Sequence, residues 1–160
     1  MRRAPLALLA ACAAAACGTG RPPVASGGDI VVLQAYATAS AAPDVSALYL
    51  TIENRGTAAD TLLSVTTPVG HAMLHTVETN NGLSTMRPVE RLTIAAGTEI
   101  RMRPGAYHVM LTGLPAPLAA GDTIDVEATF ARAGALRFRA PVMTYTDVVE
   151  HLERDRQGHP

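Results

Sequence analysis

The chain has 160 residues and a formal net charge of −1. That is enough for one domain with a sizeable core, and it gives no charge bias toward nucleic acid or an anionic membrane surface. There are four Tyr, two Phe and no Trp, too few for a base-stacking platform on single strands. The only cysteines are Cys12 and Cys17, so beyond residue 17 neither a disulfide framework nor a thiolate metal site is available.

The N-terminus reads as an export signal. Arg2 and Arg3 form a charged start, and residues 5–16 form an apolar run too short to stay in a bilayer as a spanning helix. Small residues then meet a cysteine, the pattern of a bacterial lipoprotein signal in which that Cys is lipidated and becomes the new N-terminus. Leu9-Ala10-Ala11-Cys12 fits the local pattern more closely. Cys17 leaves a leader of more ordinary length and opens onto Gly18 and a polar, Pro-containing stretch. Cys17 is therefore the preferred lipidation site, with Cys12 and simple secretion by cleavage elsewhere in the Ala run as alternatives. This divides the chain into a lipoprotein-type signal peptide at 1–16, a flexible tether at 17–28 rich in Gly, Pro, Ser and Ala, a domain at 29–145 and a polar tail at 146–160.

From residue 30 onward short β segments alternate with turn signals. The pattern predicts strands over 30–37 and over 47–53, where Leu48, Leu50 and Ile52 share a face, followed by a turn at Asn54-Arg55-Gly56. It predicts a short strand over 62–66, then strands over 71–79 and 83–89 flanking Asn80-Asn81-Gly82, the strongest hairpin signal in the chain. Further segments fall at 92–94, at 98–103 and, after Pro104-Gly105, at 107–112. A last hairpin joins 123–132 to 135–145 around Ala133-Gly134. No segment before residue 146 shows a 3.6-residue period. About eight or nine short antiparallel strands of this kind predict an all-β sandwich or barrel. Residues 147–156 fit either a short helix, with Val148, Val149 and Leu152 on one side, or a frayed tail.

Residues 71–110 make up a quarter of the chain and concentrate its soft donors. They hold Met73, Met86, Met102 and Met110 together with His71, His75 and His108. Alternation puts His108 and Met110 on one face of their strand. A two-residue loop at Asn81-Gly82 pairs residue 75 with 88, which places Met86 on the His75 face as a diagonal neighbour; a three-residue loop would put the two on opposite faces. Two imidazoles and two thioethers from His75, Met86, His108 and Met110 would favour Cu(I) among biological metals, since thioether sulfur is soft and uncharged. Calcium and magnesium prefer hard oxygens, and structural zinc usually recruits thiolates or several imidazoles. His71 and Met73 alternate with His75 and are candidate auxiliary ligands. Taken singly, each of these residues also fits a bland role, Met as core filler and His as a hydrogen-bonded surface residue.

The spacing His75-x10-Met86-x21-His108-x-Met110 resembles the signature of the periplasmic copper chaperones called the PCuAC family. The flanks agree: Met86-Arg87-Pro88-Val89 after the Asn-Gly turn, then Pro104-Gly105-Ala106-Tyr107-His108-Val109-Met110-Leu111, with Gly113-Leu114 beyond. The similarity spans roughly residues 30–143. It implies a cupredoxin-like, immunoglobulin-like β-sandwich in which His75, Met86, His108 and Met110 bind Cu(I). It also implies delivery of copper to cytochrome c oxidase, at its binuclear copper centre, through subunit II or another chaperone. The expected setting is the periplasmic side of the cell envelope, as a monomer with membrane attachment by a lipid anchor at Cys17 only. The tail has His151 and His159 but no Met after Met143, so a Cu(II)-type site of the kind some members carry there is not expected.

Other functions are less well supported by the residues. An electron-transfer blue-copper protein needs a Cys ligand, and the domain has none. There is no G-x-S-x-G and no H-E-x-x-H, so no enzyme activity is expected. Two readings stay open beside copper delivery: copper sequestration for resistance, which uses the same site, and a lipid-anchored β-sandwich interaction module without metal.

Overall fold

Alternation of apolar and polar residues sorts strands such as Thr123–Phe130 and Gly134–Met143 into an inner and an outer face, and the chain builds two sheets. The computed structural model describes residues 22–157; the signal peptide, Cys12, Cys17 and the first part of the tether lie outside them. The elements are β1 (Ala25–Gly27), β2 (Ile30–Thr38), β3 (Val45–Asn54), β4 (Asp60–Thr66), β5 (His71–Asn80), β6 (Leu83–Pro88), β7 (Leu92–Ile94), β8 (Glu99–Arg101), β9 (His108–Thr112), β10 (Thr123–Phe130), β11 (Gly134–Met143) and α1 (Tyr145–Gln157).

One sheet runs β6-β5-β9-β3-β2 and the other β11-β10-β4-β7. On one edge of β3, residues 45–48 pair with β9 and residues 51–53 with β8. The layers join where Val142 and Met143 of β11 pair with Ala37 and Thr38 of β2. That junction is parallel, the exception to the expected antiparallel pairing, because β11 crosses from one layer onto the free edge of the other. Strict alternation shows best in β11, where Leu136, Phe138, Ala140 and Val142 point inward and Ala135, Arg137, Arg139 and Pro141 outward. They meet Ile124, Val126, Ala128 and Phe130 of β10 and, from the other layer, Leu48, Leu50, Ile52, Val109 and Leu111. Each buried Val, Leu, Ile or Phe contributes about 1.5–3 kcal/mol relative to exposure.

Two expectations are corrected. Among the described residues the strands number eleven, three of them only three residues long. One of these, β1, lies inside the stretch expected to be a tether. Ala25, Ser26 and Gly27 pair with Val32, Val31 and Ile30, and a Cβ on Gly27 would collide with Leu136. Its Gly27 permits close approach of the backbone to Leu136. For the tail, the helical alternative is the one adopted. Thr144 caps α1, accepting from Asp147 N at 3.2 Å and donating to its carboxylate at 2.7 Å. Val148 is fully buried, and the His151 ring lies 5.5 Å from Tyr36 on the outer face of β2. Docking onto that face offsets the low intrinsic stability of a short helix.

In the second sheet a buried carboxylate ties the start of β4 to the β10–β11 turn. Asp60, 5% exposed, accepts from Thr61 N at 2.7 Å and, across the β10–β11 turn, from Arg132 N and Ala133 N at 2.9 Å each. Burial alone would raise this carboxyl, but the N–H donors of Arg132, Thr61 and Ala133 and the Arg132 charge outweigh it and hold it below 3.8. Its contribution to stability is therefore fully present above pH 3.8 and is lost as pH falls below that value. Asp60→Asn, which turns an amide donor toward a backbone donor, is expected to cost about 1–3 kcal/mol near neutrality. Urea unfolding of both proteins should show the gap narrowing at a pH below 3.8.

Candidate metal centre

The β5–β6 hairpin closes at Asn81 and Gly82, whose φ angles of 52° and 80° are both left-handed, as a type I′ turn requires. The pairing that follows is Asn80 with Leu83, Val77 with Met86 and His75 with Pro88. This is the tight-turn register, so Met86 lies on the same face as His75. On its other side β5 pairs with β9, His75 directly opposite His108 and Met73 directly opposite Met110. The intervening residues Leu74, Val109 and Leu111 turn inward and are buried. His75, Met86, His108 and Met110 thus share the outer face of one sheet, and Met73 and His71 share it with them.

Exposure is graded across this face. His108 is only 8% exposed, whereas Met86 on the edge strand is 54% exposed. The imidazoles of His75 and His108 lie nearly parallel, 18° apart, with centroids separated by 5.8 Å. Each ring has the same partner two residues back. His75 Nδ1 is 3.1 Å from the Met73 carbonyl and His108 Nδ1 is 3.1 Å from the Ala106 carbonyl. A carbonyl only accepts, so each Nδ1 carries the proton and each Nε2 presents a lone pair. Histidines that bind metal through one nitrogen usually have the other fixed in this manner.

Tyr49 of β3 packs beside His108, ring centroids 6.5 Å apart. Its phenol is pushed up to about 12 by burial, with nearby Tyr145 adding to the shift, so it stays neutral and supplies a wall, not an anionic ligand. The sequence alone gave no reason to single it out, because only the β3–β9 pairing brings it to His108. Arg87 forms an ion pair with Glu78 at 2.7 Å, on the hairpin face away from Met86. Among the described residues no three His, Cys, Asp or Glu side chains come together to hold a metal. A metal at this face would therefore need thioether donors beside the two imidazoles.

The model of the LpqE-like family, described as "Putative lipoprotein LpqE-like", matches residues 30–142, and the chain belongs to that family. A relative from Leifsonia xyli subsp. xyli (strain CTCB07), "Putative lipoprotein Lxx21020", is 28% identical over 116 residues, which cover 71% of this chain and 70% of the relative. Among solved structures, "Copper-bound PCuAC domain from PmoF2" matches with a TM-score of 0.63 at 18% identity, covering 74% of this chain and 96% of that one. "Solution structure of CuI-DR1885 from Deinococcus Radiodurans" matches with a TM-score of 0.55 at 28% identity, covering 81% and 84%. The resemblance to PCuAC proteins and the β-sandwich it implied are both met. Among the described residues no helix is long and apolar enough to cross a membrane.

The turn that sets the hairpin register can be tested directly. A Cβ on Gly82 would meet nothing within 4 Å, so Gly82→Ala costs only the left-handed backbone strain, about 1–2 kcal/mol. Thermal unfolding should report a loss of that size, whereas an unchanged midpoint would mean that the turn does not hold the register.

Proposed function

We propose that this protein is a cell-envelope copper chaperone that carries one Cu(I) ion, bound by His75, Met86, His108 and Met110, toward cytochrome c oxidase assembly. The observation that carries the reading is the paired imidazole geometry. Two cross-strand histidines have their Nδ1 protons spent on backbone carbonyls, leaving two Nε2 lone pairs beside thioethers on one sheet face. Likeness to the Cu(I) form of the Deinococcus protein at 28% identity supports copper as the cargo.

The donor set suits a carrier. Neutral nitrogen and sulfur ligands add no negative charge, so Cu(I) is held less tightly than by thiolates, and Cu(II), with harder preferences, less well still. Exposure of Met86 at the open edge favours transfer by ligand exchange, an acceptor Cys or His displacing the thioether first. Delivery is preferred over sequestration because the softest and most exposed donor lies where an acceptor can reach it. In this reading Cys17 carries the lipid, and the domain stands on the periplasmic side of the membrane.

An anaerobic Cu(I) titration against a competing chelator tests the site. Wild type should take up one equivalent, and His75→Ala and His108→Ala should each weaken binding by about a hundredfold or more, with circular dichroism confirming the fold. Affinity should also weaken in acid, since protons compete with the metal for the imidazole nitrogens. Equal uptake by all three proteins would favour the metal-free interaction module. Loaded protein should pass copper to an apo oxidase subunit II domain; retention of the ion would favour sequestration. Cys17→Ser should move the protein from the membrane fraction to the soluble fraction, and the same shift from Cys12→Ser alone would reassign the anchor.

A further inference from the structure

The β5–β9 register brings a third thioether closer to the two imidazoles than one of the four motif residues. His75 faces His108 across the strands, and in the next row on the same face Met73 faces Met110. Residues directly opposite have Cβ atoms about 4.5–5.5 Å apart, and residues two apart along a strand are separated by about 6.6 Å. These four side chains therefore rise from the corners of one compact rectangle. Met86 lies outside it. It sits opposite Val77, one row beyond His75 on the side away from Met110, so two strands and two rows separate Met86 from Met110.

Met73 has no packing role that explains it. It is 55% exposed, one of few large apolar side chains outside the core, while its neighbour Leu74 supplies the inward contact of that strand. Its backbone carbonyl already orients the His75 ring, so side chain and main chain of one residue both face the site.

We propose that Met73 is an alternative ligand that exchanges with Met86, so that Cu(I) is held by His75, His108 and Met110 with either Met86 or Met73 as the fourth donor. This rests on the copper reading of the site. In the exchange one sulfur–copper bond forms as another breaks, with no electron or proton transferred. The ion could then release Met86 at the open edge, where an acceptor arrives, and remain four-coordinate through Met73.

The test is a double-mutant cycle with Met73→Leu and Met86→Leu, both at exposed positions where Leu preserves volume, with thermal unfolding as the control for folding. In anaerobic chelator competition each single variant should weaken Cu(I) binding by less than about tenfold, and the double variant by more than about a hundredfold beyond the product of the singles. X-ray absorption of Cu(I)-loaded Met86→Leu should still show two sulfur scatterers. One sulfur in that variant, or a double variant no weaker than Met86→Leu alone, overturns the role of Met73 and leaves the four-residue site standing. Absence of Cu(I) uptake by the wild type would overturn the copper reading itself, and Met73 with it.

Discussion

The pleat of two neighbouring strands is the constraint on which the site depends. Beside the site the inward positions of β5 and β9 are committed to the core, Leu74 on one strand and Val109 and Leu111 on the other, the last two fully buried. Slipping either strand by one residue would expose those side chains at a cost of about 1.5–3 kcal/mol each, and would drive imidazoles and thioethers into the core. The core therefore fixes the direction of the candidate ligands without touching them. The same pairing sets His75 opposite His108 and Met73 opposite Met110, so one hydrophobic decision positions four polar or soft side chains together.

Orientation of the rings is a separate, local matter. Both histidines use a backbone carbonyl two residues earlier to hold the Nδ1 proton, which selects the tautomer with Nε2 bare. No charged partner is involved, so the selection does not weaken with ionic strength as a surface ion pair would. The neutral phenol of Tyr49 continues the same logic by walling His108 without adding charge. A face built in this way offers nitrogen and sulfur lone pairs while discouraging hard cations, which need oxygen ligands.

The two flanks of this face are treated differently. Toward β2 the surface is covered, with α1 laid across Tyr36 and its own Val148 buried in the core. Toward β6 it is open, and the residues of that strand are exposed throughout. This arrangement buries one histidine for rigidity and leaves the thioethers of Met73 and Met86 within reach of another molecule.

The positions of most strands, the tight turn at Asn81-Gly82 and the clustering of His and Met were legible in the sequence because each is a local signal: alternation, left-handed turn residues, composition. Turn length sets the hairpin register; the sequence left a two- or a three-residue loop open, and the two-residue turn the structure adopts is what puts His75 and Met86 on one face. What sequence could not supply were pairings between strands distant in the chain. The β3–β9 contact that brings Tyr49 to His108, the parallel junction of β11 with β2 and the close approach of Gly27 to Leu136 all depend on which strands become neighbours, and no local pattern encodes that. The sequence by itself determined which side chains are available as soft donors and which face of its strand each occupies. Only the tertiary structure decided which of them stand side by side, because adjacency across a sheet is set by how the whole core packs.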